Sequence, residues 1–338
     1  MKSRRDFLKT AATGAVLLGS QAKPGLAAMV DRSGLHPQQH TDAGRSRVVV
    51  AHDGVMHGPD GLLSEKRVID LLDSAIAAYT ERDHPVDAWK RIVPVGKTIG
   101  LKVNGLGGKG ISTHLALVLA IAERLQQAGV KPGNILVWDR NALDLEACGL
   151  TISTDSNRIR CFGSDVGGYE DEPVAFGSVS VKLAKILTRE CDMVIGLPIL
   201  KDHSGAGVTF AMKNMYGVVQ RPYDLHGGGC NPSVADLNCI PAVRQKVRFT
   251  IGDAITSVYE GGPGFHAEHL WQPNSLIVGE DRVAIDYSAW QMIERKRAEV
   301  GIMPLEAAGR PPRYIATAAD AAHGLGFNDP MRIHLMEI

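Results

Sequence analysis

The sequence predicts an α/β fold, a mostly parallel sheet covered by helices, on three observations. Short β-branched or apolar runs alternate with longer segments of helical period. Several of the short runs are apolar at every position, as strands buried on both faces are. Gly-rich loops follow them at the strand carboxyl ends, where ligands of such sheets usually sit.

The elements follow in order. Arg47-Val48-Val49-Val50-Ala51 reads as the first strand. Ser64 to Arg82 places Val68, Leu71, Leu72, Ala75 and Ile76 on one helical face. Thr98 to Val103 is a strand, Leu115 to Ala128 a helix that Gly129 stops, and Ile135-Leu136-Val137-Trp138 a buried strand with Asp139 at its end. From Leu143 to Ser180 the pattern weakens into short strands and turns. It returns at Met193 to Pro198, Val247 to Ile251 and Ser275 to Val278, all strands. Val283 to Val300 is a helix with Asp281 as its cap and Asp286 as an acid that either supports site residues from behind or is structural. Arg332 to Ile338 closes the chain as a strand, edge or central.

Residues 1–28 read as a twin-arginine export signal: Ser3-Arg4-Arg5-Asp6-Phe7-Leu8-Lys9, a modest apolar run to Gly19, then small residues. Such a signal predicts handling by the twin-arginine machinery and a periplasmic or extracytoplasmic location. Residues 29–46 are polar and read as a flexible linker. Residues 47–338 are then a single α/β domain, with room for two lobes. The chain carries 37 basic and 37 acidic residues, which argues against nucleic acid as a partner. No apolar run approaches the roughly 20 residues of a membrane helix, so no stable membrane insertion is expected. The five cysteines, Cys148, Cys161, Cys191, Cys230 and Cys239, include no C-x-x-C pair. No cysteine-ligated iron–sulfur cluster is encoded by them; Cys230 and Cys239 are either bridged or free.

Five motifs carry candidate chemistry. Lys102-Val103-Asn104-Gly105-Leu106-Gly107-Gly108 lies between a strand and a helix, where small residues let the backbone approach an anion. Gly105, Gly107 and Gly110 match G-x-G-x-x-G, but Asp139 lies 29 residues beyond Gly110, not the roughly 20 of a dinucleotide site. Lys201 and His203 follow an apolar strand and are two apart, so both face one way if the chain stays extended. Lys213-Asn214 sits in an apolar stretch, the setting in which a lysine loses basicity or holds an anion. His226 precedes three glycines, and Asp253 closes the Val247 strand before the Glu260 to Gly264 turn.

In order, Lys102-x-Asn104, Thr113-His114, Pro198-x-x-Lys201-x-His203, Lys213-Asn214-x-x-Gly217, His226, Asp236, Asp253, Gly261-Gly262-Pro263 and Asp281-x-x-Ala284-x-Asp286 resemble the domain of unknown function 362 family over roughly residues 98 to 295. The resemblance implies an α/β domain. Many relatives carry a ferredoxin-like cluster segment, which implies redox work; this chain lacks that cysteine run.

Together these features predict an exported, redox-associated enzyme acting on an anionic small molecule or cofactor. Lys201, His203 and Lys213 are its candidate catalytic residues. Lys102, Asn104, Gly107, Gly108, Asn214 and His226 are its candidate ligand-binding residues. A metal is a weaker expectation, with His203, His226, Asp236 and Asp253 as ligands. The alternatives are a non-catalytic cofactor- or metal-binding maturation protein and an accessory subunit with a redox partner protein.

Overall fold

Buried apolar strands and one-sided helices assemble into a mixed sheet with helices on both faces. The computed structural model describes residues 41–338 apart from 43, 59 and 109. The expected export signal, and the expected linker up to residue 40, lie outside the described residues. In chain order the principal strands are β1 (Arg45–His52), β2 (Ile99–Lys102), β3 (Ile135–Trp138), β4 (Arg160–Cys161), β5 (Met193–Gly196), β6 (Ile199–His203), β7 (Gly207–Thr209), β8 (Val247–Val258), β9 (Ser275–Gly279) and β10 (Ile333–Glu337). The first strand thus begins inside the segment expected as linker, and Thr41–Asp42 pairs with it.

The sheet order is β4-β3-β2-β5-β8-β9-β1. From β4 to β8 neighbours run parallel, β9 is antiparallel to both its neighbours, and β10 lies parallel to β1 at the edge. The expected α/β architecture is therefore present, with an antiparallel strand inserted near one side.

Helix α1 (Glu65–Thr80) shows why the sequence period was legible. Ser64 caps its start by accepting from Arg67 N, and Val68, Leu71, Leu72, Ala75, Ile76 and Tyr79 are buried. Helix α2 (Leu115–Gln127) buries Leu117, Val118, Ile121 and Leu125 beside them, in a core shared with Ile99, Leu101, Ile135 and Val137. Each such side chain contributes about 1.5–3 kcal/mol on burial. The opposite face packs Leu136, Trp138 and Val194 against the helix Ser233–Cys239 and the segment around Met215. Helix α3 (Arg282–Glu299) covers β1, β7 and β9 through Ile285, Ala289 and Ile293.

Two topological features position the site. The chain moves outward from β2 to β3 and β4, then returns to place β5 on the other side of β2. The carboxyl ends of β2 and β5 therefore flank the point where the winding reverses, the place where open α/β sheets form their ligand crevice. Moreover, the strand does not end at Pro198. It continues as β6, pairing in parallel with the second half of β8 and antiparallel with β7. A polar run that looked like a strand exit is itself a strand, held by backbone partners distant in sequence.

Candidate functional site

Beyond Lys102, β2 and β5 separate, and side chains fill the gap. Thr113 closes it from the Gly-rich loop: its hydroxyl donates to Leu197 O at 2.6 Å and accepts from Asn104 N at 2.9 Å. Thr113 therefore ties the two walls together, and His114 occupies the cap position of α2. Asn104 Nδ2 donates to Asn214 Oδ1 at 3.2 Å, and Asn214 Nδ2 donates to Lys102 O at 3.1 Å. That chain of donors fixes both amides and turns Asn104 Oδ1 toward Lys201 Nζ, 3.3 Å away.

Lys201 and His203 share one face of β6, as their spacing predicts, while Asp202 points the other way. The Lys201 side chain is wholly buried, and its remaining contact is Ile111 O at 3.4 Å. Gly107 makes that carbonyl available: a Cβ there would collide with Ile111 O. Gly108 turns the same loop at φ +60. Burial pushes the Lys201 pKa down to about 8; the Lys213 charge adds to the effect and Asp139 opposes it.

Lys213 opens a tight turn, Lys213–Val218, whose start is fixed by α3. Asp286 accepts from Ala211 N at 2.6 Å and Met212 N at 3.1 Å and so holds the backbone just ahead of Lys213. Lys213 Nζ lies 4.4 Å from the centroid of the Tyr216 ring and 3.2 Å from His226 Nε2. Burial pushes its pKa down to about 8 as well. Among the described residues neither Lys201 nor Lys213 forms an ion pair.

The two histidines stack at 5.7 Å between centroids. His203 Nδ1 accepts from Gly205 N at 3.0 Å and Ala206 N at 3.1 Å, so the proton of its neutral ring sits on Nε2. Burial first, then the charges of Lys213 and its other neighbours, pushes its pKa down to about 3. His226 has the opposite tautomer: Nδ1 donates to Pro222 O at 2.9 Å, leaving Nε2 to accept from Lys213. Burial and the Lys213 charge lower its pKa. The crevice thus gathers two ammonium groups, one imidazole N–H and two carboxamides. Charge and donors converge there without a carboxylate bonded to either ammonium, an arrangement suited to an anion.

Lys102 behaves differently. Its ammonium lies 2.6 Å from Asp139 Oδ1 and 2.9 Å from Val103 O, on the sheet face opposite Leu101. It reaches the crevice through its backbone carbonyl, and its charge is committed to Asp139. The four residues expected as metal ligands are not brought together, and among the described residues no group of three or more His, Cys, Asp or Glu side chains is placed to hold a metal. Asp236 accepts from Ser178 N at 2.8 Å and pairs with His323 at 3.0 Å. Asp253 pairs with His114 at 2.8 Å. Both carboxylates are thereby engaged away from the stacked histidines. All five cysteines, Cys230 and Cys239 included, are free thiols.

Sequence reasoning missed Asp139 as the Lys102 partner, although both stand at the ends of strands now seen to be adjacent. It also missed Arg310, which pairs with wholly buried Asp202 and with Glu260; Glu260 in turn holds Arg297. Gly262 belongs to this wall, because its N–H donates to Asp202 and a Cβ there would strike the Asp202 carbonyl.

A family model described as a domain of unknown function, DUF362, matches residues 99–291. The chain belongs to this family. The DUF362 span starts at the first residue of β2 and ends within α3, so it contains both walls of the crevice and every residue gathered there. Arg310 and His323 lie beyond it. Two solved structures are similar in fold alone. One is a protein from Thermotoga maritima, 12% identical with a TM-score of 0.42, the match covering 69% of this chain and 59% of that one. The other is the lactate racemase apoprotein from Thermoanaerobacterium thermosaccharolyticum, 11% identical with a TM-score of 0.35, covering 69% and 54%. The chain thus spans a little over half the length of each. No curated protein matches it. Among the described residues no helix is long and apolar enough to cross a membrane.

Proposed function

We propose that this protein binds a small anion, a carboxylate or phosphate, in the crevice between β2 and β5. Lys201 and Lys213 are its charge partners, and Asn104, Asn214 and the His203 Nε2–H are its neutral neighbours. One observation carries the reading: two lysine ammonium groups lie buried together with only neutral contacts among the described residues. Burying a charge without a counter-charge is costly, and a ligand bearing negative charge removes that cost. An amine whose pKa lies near 8 also holds or releases a proton close to neutral pH, which suits acid–base work on the bound anion.

Calorimetric titration with inorganic phosphate, oxalate and malate tests the reading. Binding by at least one of them that is lost in Lys201→Met and in Lys213→Met supports it. No binding by any of the three, or affinity indifferent to both substitutions, refutes it. Export by the twin-arginine route is a second element of the proposal, carried by Arg4-Arg5 ahead of a modest apolar run. Retention of an Arg4→Lys, Arg5→Lys variant inside the cell supports it, and unimpaired export of that variant overturns it.

A further inference from the structure

His114 and Asp253 form a second polar pair on the same face of the sheet as Lys201. Asp253 lies opposite Ile199 in the parallel register of β6 and β8, and Lys201 follows Ile199 by two residues. Residues paired across strands, and residues two apart along one strand, present their side chains to one face. The rise of a strand separates the Asp253 row from Lys201 by about 7 Å, within the span of a small organic acid. Ile111, Ile199 and Val258 form a small apolar cluster beside them.

Asp253 is wholly buried and meets His114 twice. It accepts from His114 N at 2.8 Å, and His114 Nδ1 lies 2.8 and 3.0 Å from its two oxygens. Ile255 N adds a donor at 3.1 Å. Nδ1 therefore carries the proton of the neutral ring, and Nε2 is left with a lone pair that has no partner among the described residues. The His114 side chain is 23% exposed, so the ring is not sealed in the core. Burial disfavours the imidazolium, but the charge and hydrogen bonds of Asp253 outweigh it and hold the His114 pKa above the ordinary histidine value. A carboxylate that orients an imidazole and stabilises its charged form is the arrangement of a proton acceptor.

Resting on the anion reading above, we propose that His114 is an acid–base residue of the crevice, taking a proton through Nε2 from an organic acid held by Lys201 and returning it, with Asp253 as its positioning residue. The Nε2 lone pair forms the new N–H bond as a C–H or O–H bond of the substrate breaks. The electron pair of that bond stays on the substrate as an enolate or alkoxide, opposed by the Lys201 ammonium. The Asp253 carboxylate opposes the imidazolium. Return of the proton closes the sequence with no change in oxidation state.

The test uses the full chain with oxalate as the probe, following acylation of His114 by diethyl pyrocarbonate through peptide mass spectrometry. At ten times its dissociation constant oxalate is expected to slow acylation of His114 by about tenfold. The protection disappears in Lys201→Met. In Asp253→Asn the pH dependence of acylation moves to lower pH while oxalate still binds, a shift that a purely structural role for Asp253 does not produce. Oxalate that binds through Lys201 while His114 acylates at an unchanged rate overturns this inference and leaves the anion reading standing. Malate replaces oxalate as the probe if it alone of the two binds, and phosphate binding with neither oxalate nor malate binding overturns the inference too, by excluding both organic acids. If none of the anions binds, the anion reading fails and this inference with it.

Discussion

Lys102 and Asp139 form an ion pair closed from solvent at the adjoining ends of two parallel strands, with Gly217 packed against it. A Cβ on Gly217 would lie 2.6 Å from Lys102 Nζ and 2.9 Å from Asp139 Oδ1. The Asp139 carboxylate also accepts from Gly105 N and Arg140 N, both at 2.7 Å. The pair thus sets where the Gly-rich loop leaves β2. Lys102→Met leaves a buried carboxylate without its cation and is expected to cost about 3–5 kcal/mol in urea unfolding. The double variant Lys102→Met, Asp139→Leu is expected to recover part of that loss. Lys102→Met that leaves stability unchanged but abolishes anion binding would instead return Lys102 to the ligand.

Lys201 and Lys213 invert that expectation. Each is a buried cation without an anionic partner among the described residues, so Lys201→Met and Lys213→Met are expected to raise stability at pH 7 by on the order of 1–3 kcal/mol each while removing anion binding. Their pH dependence has a definite sign. Folded pKa values near 8 lie below the ordinary 10.5, so between those values the unfolded chain binds more protons and stability rises with pH. Below about 8 both states are protonated and the contribution is constant. Wild-type minus variant unfolding curves isolate this window from the thiols, since burial pushes Cys161 and Cys191 up to about 12 and they act in the opposite direction. Anion affinity, which needs the ammonium forms, is expected to fall above pH 8, and a flat profile to pH 10 would count against both lysines as charge partners.

The neutral state of His203 is equally specific. Protonating Nδ1 would set an N–H against the Gly205 and Ala206 N–H groups that it accepts, amid the neighbouring lysine charges. Nitrogen-15 spectra of the imidazole are expected to show the Nε2–H form unchanged from pH 8 to pH 5. Because the folded value is depressed to about 3, the unfolded chain takes up this proton first on acidification. His203 therefore subtracts stability as pH falls below the ordinary 6.5. A His203 resonance titrating near 6.5 would contradict the Gly205 and Ala206 bonds.

How much of this was legible in the sequence depended on the range of the interaction. The alternation that predicted α/β survives because Val48, Ile99, Ile135 and Val194 each sit in strands buried on both faces. Helix α1 was readable because its apolar residues repeat within the segment. Lys201, His203, Lys213 and His226 were singled out by local contrast, a polar group beside apolar neighbours or glycines, and they do converge. What could not be read is pairing across the chain. His114 and Asp253 are 139 positions apart, and Asp202 and Arg310 are 108 apart. Strand β6 escaped notice for the same reason: Lys-Asp-His is a poor strand sequence alone, and only β7 and β8 make it one. Lys102 was assigned to the ligand because its partner stands on the next strand, where local contrast gives no sign of it.

The wall behind β6 supplies a final expectation. Arg310 is the cation facing both Asp202 and Glu260, and Asp202 is wholly buried. Burial holds the Asp202 pKa above the ordinary carboxylate value even though Arg310 and the Gly262 N–H act to lower it. In Arg310→Met the main lowering influence is gone, while Glu260 keeps its bond to Arg297. The variant is expected to lose about 3–5 kcal/mol at neutral pH, the usual consequence of leaving one buried partner charged and alone. It then has an escape that the wild type does not need, since Asp202 can take up a proton and become neutral. The sign follows from linkage. The folded carboxyl titrates above the unfolded one, so between those two values the folded state binds more protons and the variant gains stability as pH falls. Urea unfolding of wild type and Arg310→Met at pH 8 and pH 5 checks this: the gap between them should narrow at pH 5. A gap that widens on acidification would show that the lost contact is Glu260 or packing, and not the charge on Asp202.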